Sequence, residues 1–210
     1  MKYINGDKGK RAREYGFSII EVVIGVFILG LIAISLGTLQ ADIFSLHTIF
    51  SNNLVAQQEV RQAFKTMIQE VRPASPSSTG AYPIAAASAT SFTFYSDIDD
   101  DNLRERIRYY LDVGVLKRGV LEPTGVPLVY NPANEIVTTL VKDVIATTTP
   151  LFSYYDTNYN GTSDPLPEPV NILAVRLLKI SVTVDHNPAR PPSATTATTQ
   201  VSMRNLKDNL

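Results

Sequence analysis

Hydrophobic and polar positions divide the N-terminal part of the chain into a polar leader and a long apolar run. Residues 1–16 carry five cations and two carboxylates, whereas residues 17–39 hold one charged side chain, Glu21, in 23 positions. A helix of that length spans ~35 Å, enough to cross the ~30 Å hydrocarbon core of a bilayer. Because the cations precede the run, the pattern predicts a single membrane span with a cytoplasmic N-terminus and the rest of the chain outside. A secretory signal ending near Ser35-Leu36-Gly37 is the alternative.

The apolar run continues into a segment with helical periodicity. No proline occurs between Ala41 and Arg72, apolar residues recur at steps of three and four, and Pro73 then ends the pattern. We expect one helix over residues 17–72, whose half after residue 39 is amphipathic and packs on a globular domain. The predicted apolar stripe is Ile43, Leu46, Phe50, Leu54, Val60, Phe64, Met67 or Ile68, and Val71, and the polar face is Gln57, Gln58, Glu59, Arg61, Gln62, Lys65 and Glu70.

The remaining sequence alternates between apolar and polar positions with period two. Residues 73–91 are rich in Pro, Ser and Ala and are interpreted as a loop. Strands separated by turns, without helices between them, indicate an antiparallel β-sheet packed on the long helix, which is an α+β architecture. The predicted strands lie around Phe92–Phe94 and Ile107–Leu111, and at Val115–Leu121, Leu140–Ile145, Leu151–Tyr155, Leu178–Val184 and Thr195–Met203.

Composition excludes several classes of function. The chain has no cysteine and two histidines, so thiol catalysis, Cys-ligated metals and histidine-rich sites are excluded. Its net charge of −1 lacks the basic surface that nucleic-acid binding requires. No nucleophile elbow, phosphate loop or HExxH motif is present, and we therefore expect neither an enzyme nor a cofactor, apart from the calcium considered below.

The junction between the leader and the apolar run reads Gly16-Phe17-Ser18-Ile19-Ile20-Glu21. It resembles the prepilin signal of type IV pilins and type II secretion pseudopilins, in which glycine precedes the cleaved bond, phenylalanine follows it and glutamate is the fifth mature residue. The resemblance implies that a prepilin peptidase cuts between Gly16 and Phe17 and methylates the new Phe17 amine. Gly37-Thr38 stands where many major pilins carry a proline, which leaves the choice between pilin and pseudopilin open.

Glu21 is the one carboxylate in the apolar run. Such a group costs about 2.5–3.5 kcal/mol at the centre of a span and less near its edge. Either the Glu21 carboxylate is hydrated at the cytoplasmic boundary of the membrane, or the charge of a partner compensates its negative charge. Cleavage after Gly16 creates an α-amino group four residues away, and in a bundle of helices the amine of one subunit would pair with Glu21 of a neighbour and select one axial stagger.

Four segments of the globular part, FTFYSDIDDDNLRERIRYYL, LKRGVLEPTGVP, FSYYD and TTQVSMRNLKDNL, look like the J-class minor pseudopilins and related minor pilins. The resemblance implies a pilin-like fold and a structural subunit of a type IV pilus or secretion pseudopilus, assembled from the inner membrane with other pilins or pseudopilins. The predicted organisation is a leader (1–16), a membrane and filament-core helix (17–39), its amphipathic continuation (40–72) and a β-rich domain (73–210). A single-pass anchored binding module or enzyme that never polymerises is the alternative.

Two acidic segments raise the question of calcium. Asp97, Asp99, Asp101 and Glu105 offer clustered carboxylates, but Asn102 replaces the glycine of an EF-hand loop and Arg108 its closing glutamate, which favours a hairpin turn.

The second acidic segment is closer to a calcium loop. Asp156, Asn158, Asn160 and Asp164 occupy its first, third, fifth and ninth positions around Gly161, but Pro167 stands at the twelfth. A tight turn explains the same residues, so both interpretations stay open.

Overall fold

A computed structural model describes residues 16–185 and 194–206 of the chain, without the side chains of residue 38 and residues 41–54. The predicted leader lies outside the described residues, except for Gly16. The chain separates into two compact units at Thr48 and Ile49, and each is described by itself. The helix is α1, Ile19–Val71, and the strands are β1 Ile84–Ala87, β2 Ser91–Ser96, β3 Glu105–Asp112, β4 Val115–Leu121, β5 Ile136–Val141, β6 Phe152–Tyr155, β7 Leu177–Val184 and β8 Thr195–Ser202.

The helix begins and ends close to its predicted bounds. The Ser18 carbonyl accepts the amides of Glu21 and Val22, which opens the first turn. Pro73 lacks an amide hydrogen and disfavours helical backbone at Arg72, so α1 ends at Val71.

The strands form two antiparallel sheets within the described residues, where the sequence predicted one. The first sheet has the order β1-β2-β3-β4-β5 and the second the order β6-β7-β8. Both are antiparallel throughout, because consecutive strands are joined by turns and loops rather than by crossover helices. The α+β layout is therefore confirmed.

Two predicted boundaries in the first sheet are wrong. The predicted loop at 73–91 contains β1, where Ile84 is buried and pairs with Phe94, although its alanine-rich sequence gives no strand pattern. The strand predicted at Leu140–Ile145 lies earlier, at Ile136–Val141, because Asp143 takes a φ of 56° and interrupts the extended backbone.

The end of α1 and both sheets enclose one hydrophobic core in the second unit. Helix residues Val60, Phe64, Met67 and Val71 of the predicted stripe are buried there. They belong to the same cluster as side chains from the first sheet (Phe92, Phe94, Ile107, Tyr109) and from the second (Phe152, Leu178, Ile180, Val182). In the first part of β3, buried residues alternate with more exposed ones, because successive side chains of a strand point to opposite faces of the sheet.

Glu70 is half-buried at the edge of this core, with its side chain 11% exposed, although its polar character placed it on the exposed helix face. It is three residues from Met67 and adjacent to Val71, so it borders the buried stripe. Arg118 of β4 donates from Nε and Nη2 to the two Glu70 carboxylate oxygens at 3.0 and 2.6 Å, and the Tyr109 hydroxyl of β3 donates to the same carboxylate. Burial, together with the Glu70 carboxylate, raises the pKa of Tyr109, so the phenol remains a donor.

We expect Glu70→Ala to lower the free energy of unfolding of a fragment comprising residues 49–210 by about 2 kcal/mol, because it removes the acceptor of three hydrogen bonds and leaves the half-buried Arg118 guanidinium without its counter-charge. Glu59→Ala, the same change at an exposed position of the helix, should alter it by less than about 0.5 kcal/mol. Urea denaturation measures both. Equal losses in the two variants would contradict a stabilising role of the Glu70–Arg118 pair.

Candidate functional site

The residues predicted to direct processing and assembly lie together at the start of α1. Gly16 and Phe17 precede the helix, and Glu21 lies in its first turn. The Phe17 side chain is 81% exposed, and Glu21 is exposed as well. A Cβ added at Gly16 would meet no heavy atom of the described residues within 4 Å, so packing inside the chain does not require glycine there. The segment is accessible to another protein at the bond between Gly16 and Phe17.

The first part of α1 buries nothing against the described part of its own chain. Ile19–Gly37 has a mean hydropathy of 2.8, and its most apolar window is entirely unburied. Its large hydrophobic side chains are 48–85% exposed. A surface this large and apolar requires an apolar environment. The segment is long and apolar enough for a single membrane span, and a signal sequence would satisfy the same description.

The loop containing Asp156, Asn158, Asn160 and Asp164 is a turn held by its own side chains. Asn160 Oδ1 accepts three hydrogen bonds at 3.0 Å, from the Thr162 amide, the Thr162 hydroxyl and the Ser163 amide. The Asn158 amide group donates to Asp156 Oδ2, so these two side chains face each other. Among the described residues, no hydrogen bond links Asp164 to the other three. The geometry is that of consecutive side-chain turns, with Gly161 at a φ of 95°.

The acidic segment after β2 is the predicted hairpin turn. β2 and β3 are paired from Ser91–Tyr110 to Ser96–Glu105, and residues 97–104 connect them. Asp97, Asp99 and Glu105 nevertheless come together, with one oxygen of each carboxylate within 4.8 Å of the others. Glu105 is 2% exposed. The acidic residues could be found from the sequence. The position of Ser96 opposite Glu105 could not, because it depends on the register in which β2 pairs with β3.

Comparison of the chain with models of known protein families finds no match, and comparison with curated proteins finds none. Function is therefore inferred from the chain's own residues.

The role of Asn160 as a turn residue predicts a specific pattern of stability. Asn160→Ala removes an acceptor of three hydrogen bonds and should lower the free energy of unfolding by about 1 kcal/mol. Asn160→Asp keeps the acceptor oxygen and should stay within about 0.5 kcal/mol of the original protein. Denaturant titration without calcium distinguishes them. If Asp behaves like Ala, the hydrogen bonds do not stabilise this loop.

Proposed function

We propose that this protein is a structural subunit, a minor pilin or pseudopilin, that assembles into a type IV pilus or a type II secretion pseudopilus through its N-terminal helix. The observation that carries the proposal is the start of α1. An exposed Gly16-Phe17 junction precedes the first part of α1, Ile19–Gly37, which is apolar and unburied. This part carries a single carboxylate, Glu21, in its first turn. A simple membrane anchor needs neither the glycine nor the carboxylate.

Processing by a prepilin peptidase with N-methyltransferase activity accounts for the first two residues. A peptidase must approach the backbone closely at the bond it cuts, and glycine removes the side chain that would obstruct it. No contact within the described residues explains glycine at position 16. Cleavage then makes Phe17 the mature N-terminus, at the head of the helix.

Glu21 accounts for assembly. In the precursor its carboxylate is one of the few polar groups near the apolar span. A charge on this carboxylate makes insertion of the helix into the membrane less favourable. After cleavage, the Phe17 amine of one subunit and Glu21 of its neighbour carry opposite charges in an environment of low dielectric. Other staggers leave both charges unpaired, so the pair selects one axial position. The charge thus specifies register more than it adds stability.

The glycines of the span support close packing of helices. A Cβ added at Gly25, Gly30 or Gly37 would contact no heavy atom of the described chain, so intramolecular packing does not explain them. Each costs about 1 kcal/mol of helix stability relative to alanine. Small residues let helix backbones approach one another where hydrocarbon surrounds them. A bundle of such helices in a filament core uses this property, whereas an isolated anchor does not.

The globular unit is consistent with a pilin-like domain. In it, the second part of a long helix packs with antiparallel sheets in one core, and the sequence segments that resemble minor pseudopilins lie mainly in β2, β3, β4, β6 and β8. The protein then resides in the inner membrane with this unit outside, until it enters the filament.

Mass spectrometry of the protein recovered from bacterial membranes tests processing. We expect a mature chain beginning at Phe17 with one methyl group on its α-amine. Gly16→Val should leave uncut precursor, because the added side chain blocks the approach of the peptidase, while Gly37→Val, the same change farther along the span, should be processed normally. An intact N-terminus, or cleavage elsewhere, would support the non-polymerising anchored protein.

Assembly is tested at Glu21. We expect Glu21→Ala and Glu21→Gln to be cleaved and inserted at least as well as the original protein, yet to be recovered with sheared filaments or partner subunits at about a tenth of its level or less, since the neighbouring amine is left unpaired. Glu59→Gln, a carboxylate outside the span, is the matched control. Recovery of the Glu21 variants at the original level would show that Glu21 is only wetted at the membrane boundary.

A further inference from the structure

The hairpin between β2 and β3 gathers three carboxylates at one point. Asp97 directly follows β2, Glu105 opens β3, and Asp99 lies in the connection, with oxygens of all three within 4.8 Å of one another. Backbone amides occupy one oxygen of each, since Asn102 donates to Asp97, Asp101 to Asp99 and Ile98 to Glu105. The three side chains are therefore oriented toward a common centre by the loop itself.

Two polar atoms at this point lack partners. Asp97 Oδ1 and the Ser96 hydroxyl are buried, and neither has a hydrogen-bond partner in the described part of the chain. Ser96 is fully buried, and it pairs with Glu105 in the hairpin, so the two side chains share one face of the sheet beside the cluster. An unsatisfied buried acceptor costs about 1–3 kcal/mol, and more for a charged group. Both oxygens have lone pairs that a cation beside the cluster would accept.

Electrostatics also favours a cation here. Residues 97–105 contain five carboxylates and one arginine, a formal charge of −4. Arg104 Nη1 is 3.7 Å from Asp97 Oδ2, and its Nε donates to Ser75, so it compensates the cluster only in part. The negative charges of Asp99 and Asp101 also repel that of Glu105. A divalent cation would offset this repulsion.

We propose that Asp97, Asp99 and Glu105, with the Ser96 hydroxyl beside them, form a calcium site at the end of the β2–β3 hairpin. Calcium accepts six to eight oxygens in irregular arrangements, which a turn supplies through carboxylates, carbonyls and water, whereas magnesium requires a near-octahedral set. An affinity in the range of extracellular calcium modules, about 10⁻⁴–10⁻³ M, suits this number of ligands.

The two departures from the EF-hand pattern do not oppose this site. Asn102 has a φ of 70° and so takes the left-handed conformation for which that loop uses glycine. Arg108 lies in β3 and pairs with Glu135, away from the loop, while Glu105 supplies the buried carboxylate three residues earlier. Pairing of β2 with β3 therefore places Glu105 at the cluster, where an EF-hand would place its glutamate by means of the helix after the loop.

The test uses the full-length protein purified in detergent, with calcium chloride as the probe. Isothermal titration should show one site per chain, and calcium should raise the midpoint of thermal unfolding relative to EGTA by several degrees. Asp99→Asn keeps the acceptor for the Asp101 amide but removes a ligand charge, and should weaken binding by at least about tenfold. Asp97→Asn keeps its acceptor similarly and provides a second variant if the first does not fold.

Asp100→Asn is the matched control. It removes the same charge from the same loop, and asparagine tolerates the φ of 63° at that position, so binding should change by less than about threefold. Asp156→Asn should leave binding unchanged and excludes the other acidic loop. The proposal is overturned if the original protein binds no calcium, if Asp97→Asn and Asp99→Asn both bind normally, or if Asp100→Asn loses as much affinity as they do. Filament incorporation is not measured here, so failure of this site leaves the proposed function untouched.

Discussion

The bidentate pair between Glu70 and Arg118 fixes how the second part of α1 meets the first sheet. Apolar contacts alone tolerate small rotations and slides of a helix over a sheet, because they are non-directional. A carboxylate that receives two guanidinium hydrogens and the Tyr109 hydroxyl permits only one rotation and one axial position. The contacts of Val60, Phe64, Met67 and Val71 with both sheets follow from that placement. Partial burial of the pair costs desolvation energy, which this network of hydrogen bonds offsets.

Much of this fold could be predicted from local pattern, and the parts that were missed depend on interactions between segments. The helix, β3, β4 and β7 have strong periodicity, and their predicted bounds agree with the structure within one or two residues. β1 has almost no pattern of its own and exists because β2 offers it an edge. The hydrogen bonds of Glu70 join it to Tyr109 and Arg118, 39 and 48 residues away, and no window along the chain compares such distant positions.

The candidate sites differ in the same way. Gly16, Phe17 and Glu21 lie within six consecutive residues and could be read from the sequence alone. In the proposed function, a processing enzyme and a neighbouring subunit would meet that segment from outside the chain. The acidic hairpin was visible only as a run of carboxylates, and its spacing argued against calcium. Its convergence depends on the pairing of Ser96 with Glu105 across two strands. At Asp156–Asp164 the sequence predicted either a calcium loop or a turn, and the Asn160 hydrogen bonds form a turn there.

The unburied first part of α1 also determines how mutations in this chain are tolerated. Because Ile19–Gly37 contributes nothing to the core of the globular unit, substitutions there leave the folding equilibrium of that unit nearly unchanged. Substitutions in Ile19–Gly37 therefore have an effect only through the membrane or the molecules that surround this segment. The globular unit, by contrast, depends on the packing of its own core. The chain thus has two separate constraints on its sequence. What surrounds the segment limits substitutions in the first part of α1, and core packing limits them in the globular unit.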